Sequence, residues 1–317
     1  MSLSVVIPTH GRRAILARVL DALAAQAGEV AELETIVVDD GSRDDTQELL
    51  GLRRADAANV AVLRQKNAGP ACARNAGAAA ARGARLVFLG DDTVPEPGFL
   101  ATHAAPPERG RPVAVLGYTT WDTERMRVTP FLTHLNERGA QFGYALIADP
   151  EDVPFNFFYT SNVSLPRDAF FALGGFDVSF PSAAWEDVEL AYRASRAKER
   201  LLIVYRPSAR ARHEHPTTLE SVLRRQRASG RAAALFARKH PELSAWLGVD
   251  EARALGPRRP LGVAAAARAL TALDSLGLPL PRRVYDKVLR RPYLEGLREA
   301  LAEASRASER GDARGAD

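Results

Sequence analysis

Cysteine is nearly missing from this 317-residue sequence: Cys72 is the only one. A single thiol cannot build an internal disulfide framework, and such usage fits a reducing compartment. Long apolar runs are missing as well. Nowhere do about 18 consecutive apolar residues occur, so no membrane-spanning helix is expected. The first apolar run, Leu3 to Ile7, has no basic leader before it and is too short for a secretory signal, so the expected address is the cytoplasm. An excess of one charge is also lacking. Forty-three basic and 39 acidic residues leave a net charge of +4, dispersed along the chain, whereas nucleic acid calls for a concentrated basic face. No nucleic-acid partner is expected, and no internal repeat is visible. What is present is ordinary for a globular enzyme: 46% apolar and 26% charged residues, enough for a proper core.

The first hundred residues alternate between two periodicities. Ser4 to Ile7 reads as a short strand ending at Pro8, and Ile15, Leu16, Val19, Leu20 and Leu23 fall on one face of a helix over 12–26. Leu33 to Val38 reads as a second buried strand, followed by a helix from about Asp44 with Ser42 as its cap. Further strands are expected at Val60 to Leu63 and Arg85 to Leu89, with an alanine-rich helix from Pro70 to Ala81 between them. This alternation implies an α/β fold with a mostly parallel sheet and right-handed crossovers. Short strands are expected near Val113 to Leu116, Ser161 to Leu165 and Leu202 to Tyr205, and helix from about Thr217 onward. The expected division is a catalytic domain over 1–216, with halves at about 1–110 and 111–216, and a helical extension over 217–317.

Polar clusters punctuate the strand ends, where ligands of such sheets bind. The first strand ends in Pro8-Thr9-His10-Gly11-Arg12, the second in Asp39-Asp40-Gly41-Ser42 and the fourth in Gly90-Asp91-Asp92-Thr93. One Asp-Asp-Gly-Ser cluster alone reads equally well as a turn and helix cap. Two acidic pairs at one sheet edge repel each other unless something positive neutralises them. A divalent cation with oxygen ligands would do so and would hold a diphosphate; carboxylates also accept hydrogen bonds from a ribose or a base.

In order and spacing, Val5-Val6-Ile7-Pro8-Thr9, Val37-Val38-Asp39-Asp40-Gly41-Ser42, Asn67-Ala68-Gly69-Pro70, Ala73-Arg74-Asn75-Ala76-Gly77 and Phe88-Leu89-Gly90-Asp91-Asp92 resemble the inverting family 2 glycosyltransferases of GT-A fold. Asn162-Val163-Ser164, Gly174-Gly175-Phe176-Asp177, Trp185-Glu186-Asp187 and His213-Glu214-His215 extend the match, which covers roughly residues 3 to 240. Singly each motif is weak; their common order is specific. The resemblance implies a Rossmann-like GT-A domain with a mixed, mostly parallel sheet. It also implies transfer of a sugar from a nucleotide diphosphate sugar of UDP, GDP or dTDP type to a hydroxyl acceptor.

Residue by residue, it implies base contacts from Thr9 and Asp40 with Asp39 nearby, and a further nucleotide contact from Arg74. At the Asp-x-Asp (DXD) element the first position is Gly90, a departure from the usual triplet. Ribose contact then falls to Asp91 and ligation of Mn²⁺ or Mg²⁺ to Asp92. Inverting transfer needs a base for the acceptor hydroxyl and stabilisation of the leaving diphosphate. Asp187, beside Glu186, resembles the family base; both also sit where acids complement the start of a helix running through Val188 to Arg193. Trp185 could stack on a sugar face or pack in the core. His213 and His215 lie on one side of an extended segment, and His213 is favoured as the partner of Asp92 on the metal. Asp177, in the double-glycine loop, could touch acceptor or donor sugar or cap its loop.

Over 251–291 nine Arg and Lys face three acids, with Leu270, Leu273, Leu276 and Leu278 interleaved. This pattern suits either helices that pack on the catalytic domain or on a second subunit, giving a homodimer, or a peripheral contact with an anionic membrane. Two other functions remain open from the residues. A nucleotidyltransferase would show a glycine- and basic-rich phosphate loop after the first strand, of which Pro8-Thr9-His10-Gly11-Arg12 is a poor version. A catalytically silent nucleotide- or glycan-binding homologue is favoured only by Gly90.

Overall fold

Leu3, Val5, Val6 and Ile7 are all buried, apolar on both faces of their strand, as happens only where a sheet is covered on both sides. The structure, a computed structural model, describes residues 1–57, 59–137, 141–180, 184–256 and 261–314. It divides the chain into two units. The first comprises Met1–Arg127, Leu135–Ser179 and Glu186–His215, and the second Val128–His134, Phe180–Trp185 and Pro216–Asp317.

Along the chain run β1 (Ser2–Thr9), α1 (Arg13–Ala24), β2 (Glu32–Asp39), α2 (Thr46–Asp56), β3 (Val60–Arg64) and α3 (Pro70–Ala80). Then follow β4 (Arg85–Leu89), β5 (Thr93–Pro95), α4 (Phe99–Ala104), β6 (Val113–Trp121) and α5 (Pro130–Glu137). After these come β7 (Asn162–Pro166), α6 (Arg167–Ala172), α7 (Glu186–Arg196) and β8 (Leu202–His213). The strands form one mixed eight-stranded sheet of order β3-β2-β1-β4-β7-β6-β8-β5. β3, β2, β1 and β4 are parallel neighbours, and β7 is antiparallel to both β4 and β6. One face of the sheet packs Leu3, Val5 and Ile7 against Leu16, Val19 and Leu20 of α1. The other packs Val6, Ile36 and Phe88 against Ala73 of α3 and Leu190 of α7.

Two local expectations change, and one short strand is added. Helix α2 begins at Thr46 after Asp45, and Ser42 does not cap it; the Ser42 hydroxyl instead accepts from Gly11 N at 2.8 Å. Strand β8 runs to His213 rather than stopping at Tyr205. Its pairing with β6 jumps from Gly117↔Arg206 to Tyr118↔Arg210, so a bulge hides the continuing strand behind Pro207 and Ser208. Strand β5, only three residues long, pairs antiparallel with the end of β8, Thr93 opposite His213.

Asn162 locks this half of the sheet. Its Nδ2 donates to Ala209 O at 2.8 Å and to Tyr118 O at 3.3 Å, while its Oδ1 lies 2.9 Å from His103 Nε2. Burial pulls His103 down to about 3, so the ring is neutral. Ser164 Oγ, which accepts from Arg85 Nε at 2.8 Å, therefore donates to His103 Nδ1 at 2.8 Å, and Nε2–H donates to Asn162.

The second unit is helical beyond residue 218: α8 (Leu219–Lys239), α9 (Ser244–Leu247), α10 (Val249–Arg253), α11 (Leu261–Ser275) and α12 (Arg282–Arg314). Thr218 caps α8 by accepting from Ser221 N at 3.2 Å. Arg227 and Arg231 pair with Glu299 and Glu303 at 2.5 and 2.6 Å; at half-exposed positions such pairs add little stability. Between α11 and α12 the turn exposes Leu276 (70%) and Leu278 (50%).

Replacing Asn162 with alanine strands two carbonyls and a buried imidazole. The expected cost is about 2–4 kcal/mol, read as a lower urea midpoint with an unchanged slope; an unchanged midpoint would show that the network carries no stability.

Candidate functional site

Chain order reverses between β1 and β4, since β2 and β3 extend the sheet on one side and β4 opens the other. The crevice beyond the carboxyl ends of those two strands is where such sheets bind ligands. Thr9 closes β1 and donates its hydroxyl to Asp91 Oδ2 at 2.8 Å, across the gap. Arg12, at the entry to α1, donates from Nη1 to Asp91 Oδ1 at 2.9 Å and also to Asp92 Oδ2. Burial and the neighbouring Asp92 raise Asp91, Arg12 opposes them, and the net shift is upward.

At the end of β2 the two aspartates differ. Asp40 is already engaged: Oδ1 accepts from Gln65 Nε2 and Ala68 N, both at 2.8 Å, and Oδ2 from Gly69 N at 2.9 Å. It thus holds the loop that leads into α3. Asp39, 1% exposed, accepts from Ser42 N through Oδ1 at 2.8 Å. Its Oδ2 has no hydrogen-bond partner and faces Arg64 Nε at 3.7 Å. Of the pair, Asp39 is therefore the one with a carboxylate oxygen to offer.

The third cluster gathers around Asp92. Its Oδ1 lies 3.4 Å from His213 Nε2, and its Oδ2 3.6 Å from His215 Nδ1. Burial alone would raise Asp92; the His213 hydrogen bond and charge, then Arg12 and His215, outweigh it and hold the carboxyl well below its usual range. His213 is packed at 5.2 Å from Trp121 and 5.3 Å from Phe142, and its Nδ1 has no hydrogen-bond partner. A carboxylate oxygen and an imidazole nitrogen 3.4 Å apart suit a shared divalent cation of the Mn²⁺ or Mg²⁺ type. Among the described residues no three His, Cys, Asp or Glu side chains form a ready cation set; here the cation between the carboxylates is Arg12. Gly90 has a steric reason. A Cβ there would come within 2.8 Å of Thr93 Oγ1 and 3.0 Å of Asp92 Oδ1, so an acidic first position would crowd Asp92 itself.

Leu89 of β4 pairs with Asn162 of β7, so the residues before β7 return to the same sheet edge. There Thr160 presents its N–H and hydroxyl to Asp187 Oδ2, both at 3.4 Å, while Asp187 Oδ1 accepts from Val188 N at 2.8 Å. Glu186, 3% exposed, takes Arg74 Nη1 on Oε1 at 2.9 Å, and its Oε2 has no hydrogen-bond partner. Burial raises both acids, the charge of Asp187 raises Glu186 further, and Arg74 opposes. Arg74 is thus joined to this pair rather than to Asp39 or Asp40. The next residue of α3, Asn75, clamps the double-glycine loop: it donates to Phe176 O at 2.8 Å and accepts from Phe176 N at 2.9 Å. Gly174 and Gly175 sit at φ 79° and 72°, which side chains resist. Asp177 accepts from Ser179 N and Oγ at 2.8 and 2.6 Å, the loop-capping geometry.

Trp185 belongs to the second unit. Its Nε1 donates to Ser229 O at 2.9 Å, and its ring packs against Phe236, Trp246 and Tyr293. It is the only non-glycine residue at positive φ among the described residues, at 74°.

Arg12, Thr160 and Asn75 were not singled out from the sequence. Arg12 had a signal, a lone cation closing the first strand-end cluster opposite two acidic ones. Thr160 had none, because its place depends on the β4–β7 pairing.

The model of the family described as Glycosyl transferase family 2 matches residues 4–170, more than half of the chain. Validoxylamine A glucosyltransferase of Streptomyces hygroscopicus subsp. jinggangensis is 33% identical over 218 residues, covering 60% of this chain and 50% of that protein. Pre-mycofactocin glycosyltransferase of Mycobacterium tuberculosis is 28% identical over 257 residues, covering 76% and 49%. This chain thus spans about half the length of these curated relatives. In fold it is similar to a mannosyltransferase from Pyrobaculum calidifontis in complex with GDP-Man and Mn²⁺, with TM-score 0.60, 19% identity and coverage of 95% and 86%.

Proposed function

The chain belongs to glycosyl transferase family 2 and has the GT-A fold, and from that premise we propose that it moves a sugar, with inversion, from a nucleotide diphosphate sugar to an acceptor hydroxyl. The observation that carries this reading is the convergence at one sheet edge of Asp39, Asp91, Asp92, His213 and Asp187, brought there by strands and a helix far apart in sequence. Thr9 and Asp91 border the ribose, and Asp39 Oδ2 accepts from the base. A carboxylate acceptor suits bases that present a ring N–H, as uracil, thymine and guanine do; cytosine has no ring N–H and offers only its exocyclic amino group. Asp40 serves the nucleotide indirectly, through the loop it holds. That the mannosyltransferase similar in fold was solved with GDP-Man and Mn²⁺ supports a donor of this class.

Asp92 and His213 would hold Mn²⁺ or Mg²⁺, which supplies positive charge for the departing diphosphate. Asp187 takes the proton of the acceptor hydroxyl as that oxygen bonds to the anomeric carbon; the bond from carbon to diphosphate oxygen breaks, and a nucleoside diphosphate leaves. Burial raises Asp187 and so makes it a better proton acceptor than an exposed aspartate, while Arg74 opposes that shift. Glu186, bound to Arg74, orients that guanidinium. Asp177 and the double-glycine loop border the acceptor side. Trp185 acts through packing in the second unit.

No described helix is long and apolar enough to cross a membrane. The turn between α11 and α12 suits a shallow peripheral contact with an anionic bilayer: exposed Leu276 and Leu278 are followed by exposed Arg283 and Lys287. Arg258-Arg259 lies outside the described residues.

Asp187→Asn should lower kcat/KM about 10²–10⁴-fold with nucleotide binding retained, and should flatten the acid limb on which the wild-type rate falls as the raised carboxyl takes up its proton. Turnover at the wild-type level would remove Asp187 as base. In co-sedimentation with phosphatidylglycerol-containing vesicles, changing Leu276 and Leu278 together to Asp should reduce the bound fraction more than about fivefold. Equal binding of the two proteins, or none by the wild type, would discard the membrane contact.

A further inference from the structure

We propose that Arg12 is the built-in cation of the Asp91–Asp92 site and that a divalent cation binds there only by displacing it. The proposal rests on the donor-site reading and adds a competitor to it. Arg12 Nη1 is 2.9 Å from Asp91 Oδ1 and also bonds Asp92 Oδ2, so a single nitrogen bridges the two carboxylates. The remaining positions are filled asymmetrically. Asp91 Oδ2 is taken by the Thr9 hydroxyl at 2.8 Å, whereas Asp92 Oδ1 faces only His213 Nε2 and Thr93 Oγ1, each at 3.4 Å. A cation approaching from the His213 side meets a carboxylate already neutralised by a guanidinium.

Exposure gives the direction of exchange. The side chains of Asp91 and Asp92 are 10% and 13% exposed, against 37% for Arg12. The acids sit behind β4 and cannot move to the solvent, while the arginine closes the mouth and can swing outward on its flexible stem. Two cations sharing one carboxylate in a partly buried site repel each other strongly, so occupation by both is disfavoured. The released guanidinium needs an anion, and the diphosphate of a donor is of the right kind, a planar fork matching phosphate oxygens. Arg12 would therefore keep the site closed to free cations and open it when the donor arrives with one, which couples the two binding events.

Mn²⁺ alone, titrated into the full chain and followed by the loss of the free-ion electron paramagnetic resonance signal, tests this without turnover. Arg12→Met should bind Mn²⁺ at least about tenfold tighter than the wild type, with Arg12→Lys, which keeps the charge but not the fork, in between. Circular dichroism checks that each variant is folded, and if Met is not tolerated the Lys and Gln variants carry the comparison. Equal or weaker binding after removal of the guanidinium overturns the proposal while leaving the cation site standing. Binding that survives Asp92→Ala in the Arg12→Met protein, or no binding by any variant, overturns the proposal together with the placement of the cation at Asp92.

Discussion

Crowded negative charge at one edge of the sheet is the constraint on which the rest of the structure depends. Asp39, Asp40, Asp91 and Glu186 are buried there, and Asp92 and Asp187 lie close behind them. Ionised carboxylates so placed repel one another and lose hydration, a cost that must be met by hydrogen bonds or opposite charge. Each pair meets it differently. Asp40 takes two backbone N–H groups and the Gln65 amide, Asp91 and Asp92 share Arg12, and Glu186 takes Arg74. What is left over, and what the proposed chemistry rests on, is the Oδ2 of Asp39 without a hydrogen-bond partner, the His213 side of Asp92 and the loosely held Oδ2 of Asp187.

This division of labour separates acids that shape the site from acids that can act in it. An aspartate engaged by the chain's own donors, as Asp40 is, holds its loop in place. The reverse holds for a carboxylate bridged by a partly exposed guanidinium, because that partner can leave. Arg12 and Arg74 occupy similar roles on either side of the crevice, but they differ in freedom. Arg74 has a side chain 11% exposed on a helix packed against the sheet, whereas Arg12 has one 37% exposed at a loop. The first is suited to steady orientation and the second to exchange.

Much of this was legible in the sequence, and the limits are instructive. The alternation of strand and helix over the first hundred residues, and the acidic clusters at the strand ends, follow from local periodicity and turn chemistry, which a single chain displays openly. Strands β5 and β8 did not, because β5 is three residues long and the bulge in β8 places Pro207, Ser208 and charged residues where a pattern would continue. Which aspartate of a pair keeps an oxygen to offer was not legible either. The answer depends on Gln65, Ala68 and Gly69 folding back onto Asp40, more than 20 residues away. Arg74 lies 112 positions before its partner Glu186, and no periodic signal spans that distance. Trp185 is next to Glu186 in the chain, yet its indole packs in the second unit.

The central claim, a donor site in which Asp39 reads the base and Asp92 supports a divalent cation, is tested most directly by calorimetric titration of UDP, GDP, dTDP and CDP, each with Mn²⁺ and with EDTA. The account predicts that at least one of UDP, GDP and dTDP binds, that CDP, which has no ring N–H, binds more weakly, that EDTA weakens the binding, and that Asp39→Asn relaxes the choice of base. Tight binding of CDP, or binding indifferent to both EDTA and Asp39→Asn, would contradict it.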